Sequence, residues 1–97
     1  MVPIRLHPAA AKELETAFDW YFERNPKVAG YFLHQLDHAI SRIADSPITW
    51  PTYYFGTRRY IFSQFPFQII YREREDVIEI IAIAHGRRRP GYWKERL

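Results

Sequence analysis

The chain has no cysteine. That excludes a disulfide framework, a thiolate zinc site and a cysteine nucleophile, and it suits a reducing compartment. No apolar run approaches the roughly 18 residues that a membrane helix requires. The opening segment, MVPIRLHP, lacks the apolar stretch of a signal peptide. Glycine is scarce, with four residues at positions 30, 56, 86 and 91, and no phosphate-cradling loop can be assembled from them. Internal repeats and low-complexity segments are absent too. These absences leave a small cytoplasmic protein with no membrane partner. At 97 residues they predict a single domain, 1–97, with one modest core.

Aromatic side chains are abundant, at 18% of the residues, beside an apolar share of 47% and a charged share of 26%. Charge is unevenly placed. Residues 1–57 sum to −1 and residues 58–97 to +4, and Arg87, Arg88 and Arg89 are consecutive. A basic cluster of this kind suits an acidic partner, either nucleic acid or an acidic protein surface; it also suits a plain solvated face.

The periodicity divides the chain in two. Val2–Leu6 reads as a short strand. Pro8 suits the first position of a helix, because its missing N–H costs nothing there, and His7 before it can act as a cap. Leu14, Ala17, Phe18 and Tyr21 recur at helical spacing through Arg24. Asn25-Pro26 reads as a stop followed at once by an N-cap and a new start. Val28, Phe32, Leu36, Ile40 and Ile43 then carry a second helix to Asp45, ended by Ser46-Pro47. Two helices with almost no linker predict an antiparallel hairpin. After the loop 48–56 the period changes to that of strands: Arg58–Phe62, Phe67–Arg72 and Val77–Ala84, with a polar turn at Glu75-Asp76. The last run, VIEIIAIA, is apolar on both sides, so it is expected at the centre of the sheet with both faces covered. The predicted fold class is α+β. The helical hairpin packs on one face of a three- to four-stranded, mainly antiparallel sheet, and a short helical tail follows.

Candidate chemistry is sparse. His34 and His38 stand one helical turn apart, a spacing that can bind a metal, but no third ligand accompanies them and no metal site is assigned. His85 ends the strongest strand, ahead of Gly86 and the three arginines, with Tyr92 and Trp93 close behind. A histidine can serve as general base and arginines can hold phosphate there. The same residues also fit a strand end with a packed tail.

The segments Arg59-Tyr60-Ile61-Phe62, Phe65-Pro66-Phe67-Gln68-Ile69-Ile70-Tyr71-Arg72, Ala82-Ile83-Ala84-His85-Gly86-Arg87-Arg88 and Pro90-Gly91-Tyr92-Trp93 resemble the RelE/ParE superfamily of bacterial toxins. Asp19-Trp20-Tyr21 and the helical positions Phe32, Leu36, Ile40 and Ile43 agree, so the likeness covers nearly the whole chain. The resemblance implies a toxin of a type II toxin–antitoxin system, with growth inhibition, plasmid stabilisation and a cognate antitoxin that wraps it. The superfamily has two branches. RelE-like members cleave mRNA on the ribosome without a metal; here that site would comprise Arg59, His85, Arg88 and Tyr92. ParE-like members bind DNA gyrase without catalysis; here the contact surface would be Arg87, Arg88, Arg89, Tyr92 and Trp93. Ile61 and Gln68 stand where the nuclease branch carries cations, and the His85-Gly86-Arg87-Arg88 ending is similar to the ParE-like branch. The expectation is therefore a gyrase-binding toxin with no cofactor, no metal and no small-molecule substrate. A ribosome-dependent endonuclease, or a relative that has lost toxicity, is the alternative.

Overall fold

The computed structural model describes residues 2–97. Strand β1 (Ile4–Leu6) leads into helices α1 (Pro8–Arg24) and α2 (Pro26–Asp45), and strands β2 (Arg58–Ile61), β3 (Phe67–Arg74) and β4 (Val77–His85) complete one sheet. The helix ends follow from local chemistry. The Ala9 N–H donates to His7 Nδ1 at 3.0 Å, which caps α1 ahead of Pro8. Asn25 serves both helices. Its backbone N–H donates to the Tyr21 carbonyl at 2.7 Å, closing α1. Its side-chain oxygen accepts from the Lys27 N–H at 3.1 Å, opening α2. One residue thereby does the work of a linker.

The strand order is β1-β4-β3-β2, so the apolar run does lie inside the sheet. β2, β3 and β4 form an antiparallel meander, whereas β1 pairs parallel to β4, making the sheet mixed. The β3–β4 connection is the two residues Glu75 and Asp76, at φ +55° and +62°. Two left-handed residues match the right-handed twist of a tight hairpin.

The hairpin α1–α2 covers one face of the sheet, where Phe32, Leu36 and Ile43 meet Ile69, Tyr71, Ile78, Ile80 and Ile83. Each buried side chain of this size contributes about 1.5–3 kcal/mol. The Tyr71 hydroxyl crosses that core to donate to the Pro47 carbonyl at 2.6 Å. The other face is smaller. Ile70, Ile81, Ala82 and Ala84 are covered by Trp93, Tyr53, Tyr92 and Leu97 from the tail and the 48–56 loop. Gly91, at φ +87°, turns the chain so that Trp93 enters this layer. The tail ends in a short 3-10 turn, Lys94–Arg96.

One irregularity positions the functional residues. Ile70 opposes Ala82 and Tyr71 opposes Ile80, so Ile81 is an extra residue in β4. A bulge of this kind reverses the alternation of every side chain beyond it. Ile78 and Ile80 face the helices, Ile81 and Ala82 both face the tail, and Ile83 faces the helices again. His85 consequently ends up on the helical side, its ring edge-on to Phe67 at 5.2 Å.

Candidate functional site

β1 ends at Leu6, and its last tie to β4 is the His7 N–H to the Ile80 carbonyl at 2.9 Å. From there on β4 has no strand beside it on that side. A groove of about 510 Å³ opens between α1 and this end of β4, with Lys12, Glu13, Trp20, Phe67, His85 and Arg88 in its lining.

Side chains replace the missing strand. Glu13 Oε1 accepts from the Ile83 N–H at 3.0 Å, and Arg96 Nη1 donates to the Ile81 carbonyl at 3.0 Å. The two side chains also clasp each other, at 2.8 Å and 3.0 Å, in a two-pronged pair that is largely shielded from water. The Tyr92 hydroxyl donates to Glu13 Oε2 at 2.6 Å, and Arg88 reaches the same oxygen at 3.6 Å. The Arg88 guanidinium lies over the Tyr92 ring, 3.7 Å from its centroid. Burial, and then the Glu13 carboxylate, push the Tyr92 hydroxyl far above the usual phenol range. The bond to Glu13 likewise strengthens the proton affinity of Arg96, against the opposing effect of burial. One carboxylate thus fixes the tail to α1 and satisfies the Ile83 N–H left open where β1 stops.

The residues expected at a nuclease site do not converge. His85 and Arg88 line this groove and Tyr92 reaches its Glu13 from the tail side, but Arg59 is on β2, two strand spacings away, or about 10 Å across the sheet. Its guanidinium rests over Tyr53 at 4.3 Å, on the tail side, whereas His85 faces the helices. Tyr92, a member of that expected set, is engaged by Glu13. His85 accepts the Arg87 N–H on Nδ1 at 3.1 Å, which leaves Nε2 as its free ring nitrogen.

The expected contact surface needs one correction. Trp93 is 1% exposed, because the small side chains of Ala82 and Ala84 leave a hollow that its indole fills. It is a core residue rather than an anchor for a partner. Tyr92 presents only part of its surface, while Arg87, Arg88 and Arg89 are exposed. Among the described residues, Arg87 and Arg89 make no ion pair. His34 and His38 are exposed on α2.

Sequence reasoning missed Glu13 and Arg96. A signal for Glu13 was present. Ala10, Glu13 and Ala17 share one helical face at i, i+3 and i+7, and both alanines are buried. An acid between two small residues on the inward face calls for a buried partner.

No curated protein matches the chain. A solved structure described as the chromosomal ParDE TA system from P. aeruginosa matches with a TM-score of 0.76 at 19% identity, covering 88% of this chain and 96% of that one. That likeness shows the fold. The family model described as the ParE toxin of the type II toxin–antitoxin system parDE matches residues 4–90, from β1 to the arginine cluster. The chain belongs to the ParE toxin family of type II toxin–antitoxin systems.

Proposed function

We propose that this protein inhibits DNA gyrase by binding it, and that a cognate antitoxin neutralises it in the cytoplasm. The observation that carries this reading is the state of the tail. Its end is held by Glu13 and Trp93, and Arg87, Arg88 and Arg89 face solvent together with part of Tyr92. Arginine and tyrosine are favoured anchors at protein interfaces, and a surface that is already ordered loses little entropy on binding. The same geometry weighs against catalysis. Metal-free RNA cleavage needs its proton-transfer groups and its phosphate-binding cations together. Here Arg59 is remote and Tyr92 is engaged by Glu13.

The test is a supercoiling reaction with purified gyrase and the purified protein. Inhibition that rises with toxin and is relieved by the antitoxin is expected. Full supercoiling at saturating toxin contradicts the reading. The nuclease alternative has one observation in its favour: His85 and Arg88 line the same groove. It predicts codon-position cuts in translated mRNA by primer extension, lost in Arg88→Ala. Intact messages during growth arrest exclude it.

A further inference from the structure

The opposite edge of the sheet has a different character. β2 is an edge strand, and Phe62 N–H donates to the Phe67 carbonyl at 3.1 Å, so Phe62, Tyr60 and Arg58 turn their backbone groups toward β3. By alternation Arg59 and Ile61 turn theirs outward. The Arg59 N–H is met by the Pro51 carbonyl at 3.1 Å, and Thr52 bridges to Arg58. That cover stops there. Ile61 meets no backbone partner on its outer side among the described residues, and its side chain is 61% exposed.

A groove of about 370 Å³ runs along this free edge between α2 and β2. Arg42 and Arg59 line it with no acidic residue, and neither makes an ion pair among the described residues. Trp50 forms part of its wall, packed edge-on against Tyr60 at 4.6 Å, with the Arg42 guanidinium 4.8 Å above the indole. The Trp50 indole N–H is shut off from water and has no acceptor, the one side-chain polar atom so placed among the described residues. A buried donor in that state favours any arrangement that supplies an acceptor.

We infer that this edge receives an extended acidic peptide segment of a partner protein, which hydrogen-bonds to Ile61 and adds a fifth strand beside β2. Neighbouring side chains of an added strand point to opposite faces of the sheet. Two adjacent acidic residues therefore meet Arg42 on the helical side and Arg59 on the tail side. A carboxylate that draws the Arg42 guanidinium off the indole also opens the Trp50 N–H to a carbonyl of the same peptide. The inference is independent of the gyrase reading, which concerns the other end of the sheet.

The test is an NMR titration of the isotope-labelled full chain with a blocked hexapeptide that carries two adjacent glutamates between valines and threonines. A lysine-for-glutamate version is the control. The acidic peptide is expected to shift the amides of Tyr60, Ile61, Phe62 and Ser63 and the Trp50 indole N–H, and to slow exchange of the Ile61 amide. Arg42→Glu, at an exposed helix position, weakens binding about tenfold. Ile61→Pro, which removes the outward N–H, abolishes the shifts; should that variant lose its fold, Arg42→Glu carries the test alone. Equal binding of the lysine peptide, shifts centred on His85, or an unmoved Trp50 signal at millimolar peptide overturns the inference.

Discussion

The sheet exposes backbone at two places, and the chain treats them in opposite ways. Beside β4, where β1 stops short, Glu13 and Arg96 take up the Ile83 N–H and the Ile81 carbonyl, and the tail is clamped over the bulge. Beside β2, the cover from the 48–52 segment ends at Arg59, two arginines stand without acids, and an indole N–H lacks an acceptor. An edge that is capped internally yields a rigid platform, and an edge left open invites a strand from elsewhere. The difference leaves the first region with a clamped tail beside exposed arginines and the second with an uncovered strand edge.

The most damaging way to break the contrast is to remove the clamp. Glu13→Ala strands Arg96 in a shielded position and frees the Ile83 N–H, so urea unfolding is expected to show a loss of about 3–5 kcal/mol. Glu13→Ala also frees Tyr92, and hydrogen exchange at Ile83 should accelerate. An unchanged unfolding midpoint contradicts the clamp. Filling the hollow beneath it matters nearly as much: Trp93→Ala costs about 3–5 kcal/mol in the same experiment, because a large indole leaves a cavity between Ala82 and Ala84.

Alkaline titration sharpens the comparison through the tyrosines. Burial raises Tyr71 to about 12, and burial together with Glu13 raises Tyr92 further. Both ionise near pH 10 in the unfolded chain. Their raised folded values therefore support stability fully below pH 10, and that support is lost as the pH rises through 10 toward 12. Tyr92→Phe should flatten part of the decline measured by denaturant midpoints across this range. An equal slope in wild type and variant argues against the Tyr92–Glu13 bond. Tyr71→Phe removes the hydrogen bond to Pro47 and is expected to cost about 1 kcal/mol at neutral pH. At the open edge the smallest effect is expected. Ile61→Thr lies outside both cores and should move stability by no more than about 0.5 kcal/mol, read from the thermal midpoint. A large loss there means that the edge is covered after all.

Much of this architecture was legible in the residues. Pro8, Asn25-Pro26 and Ser46-Pro47 punctuate the helices by chemistry confined to a few neighbouring atoms, and such chemistry can be read from sequence. The interior place of β4 followed from its apolar run. The bulge at Ile81 did not, because a run apolar on both faces conceals a one-residue slip in phase. With the bulge hidden, the face of His85 was hidden too. Trp93 suits both a contact surface beside its arginines and a packed tail, and only the hollow over two alanines, in a different segment, decides for burial. Arg59 suited the nuclease set by residue type, and distance across the sheet removes it.

The central claim is that the platform beside β4 is a contact surface and that its free arginines, rather than its clamp, make the contact. Supercoiling inhibition by wild type and by Arg87→Ala/Arg89→Ala, with both folds checked by their unfolding midpoints, tests it most directly. The account predicts strong inhibition by the wild type and at least a large loss in a double variant whose stability is within about 0.5 kcal/mol of the original. Inhibition by the folded double variant equal to that of the wild type contradicts it.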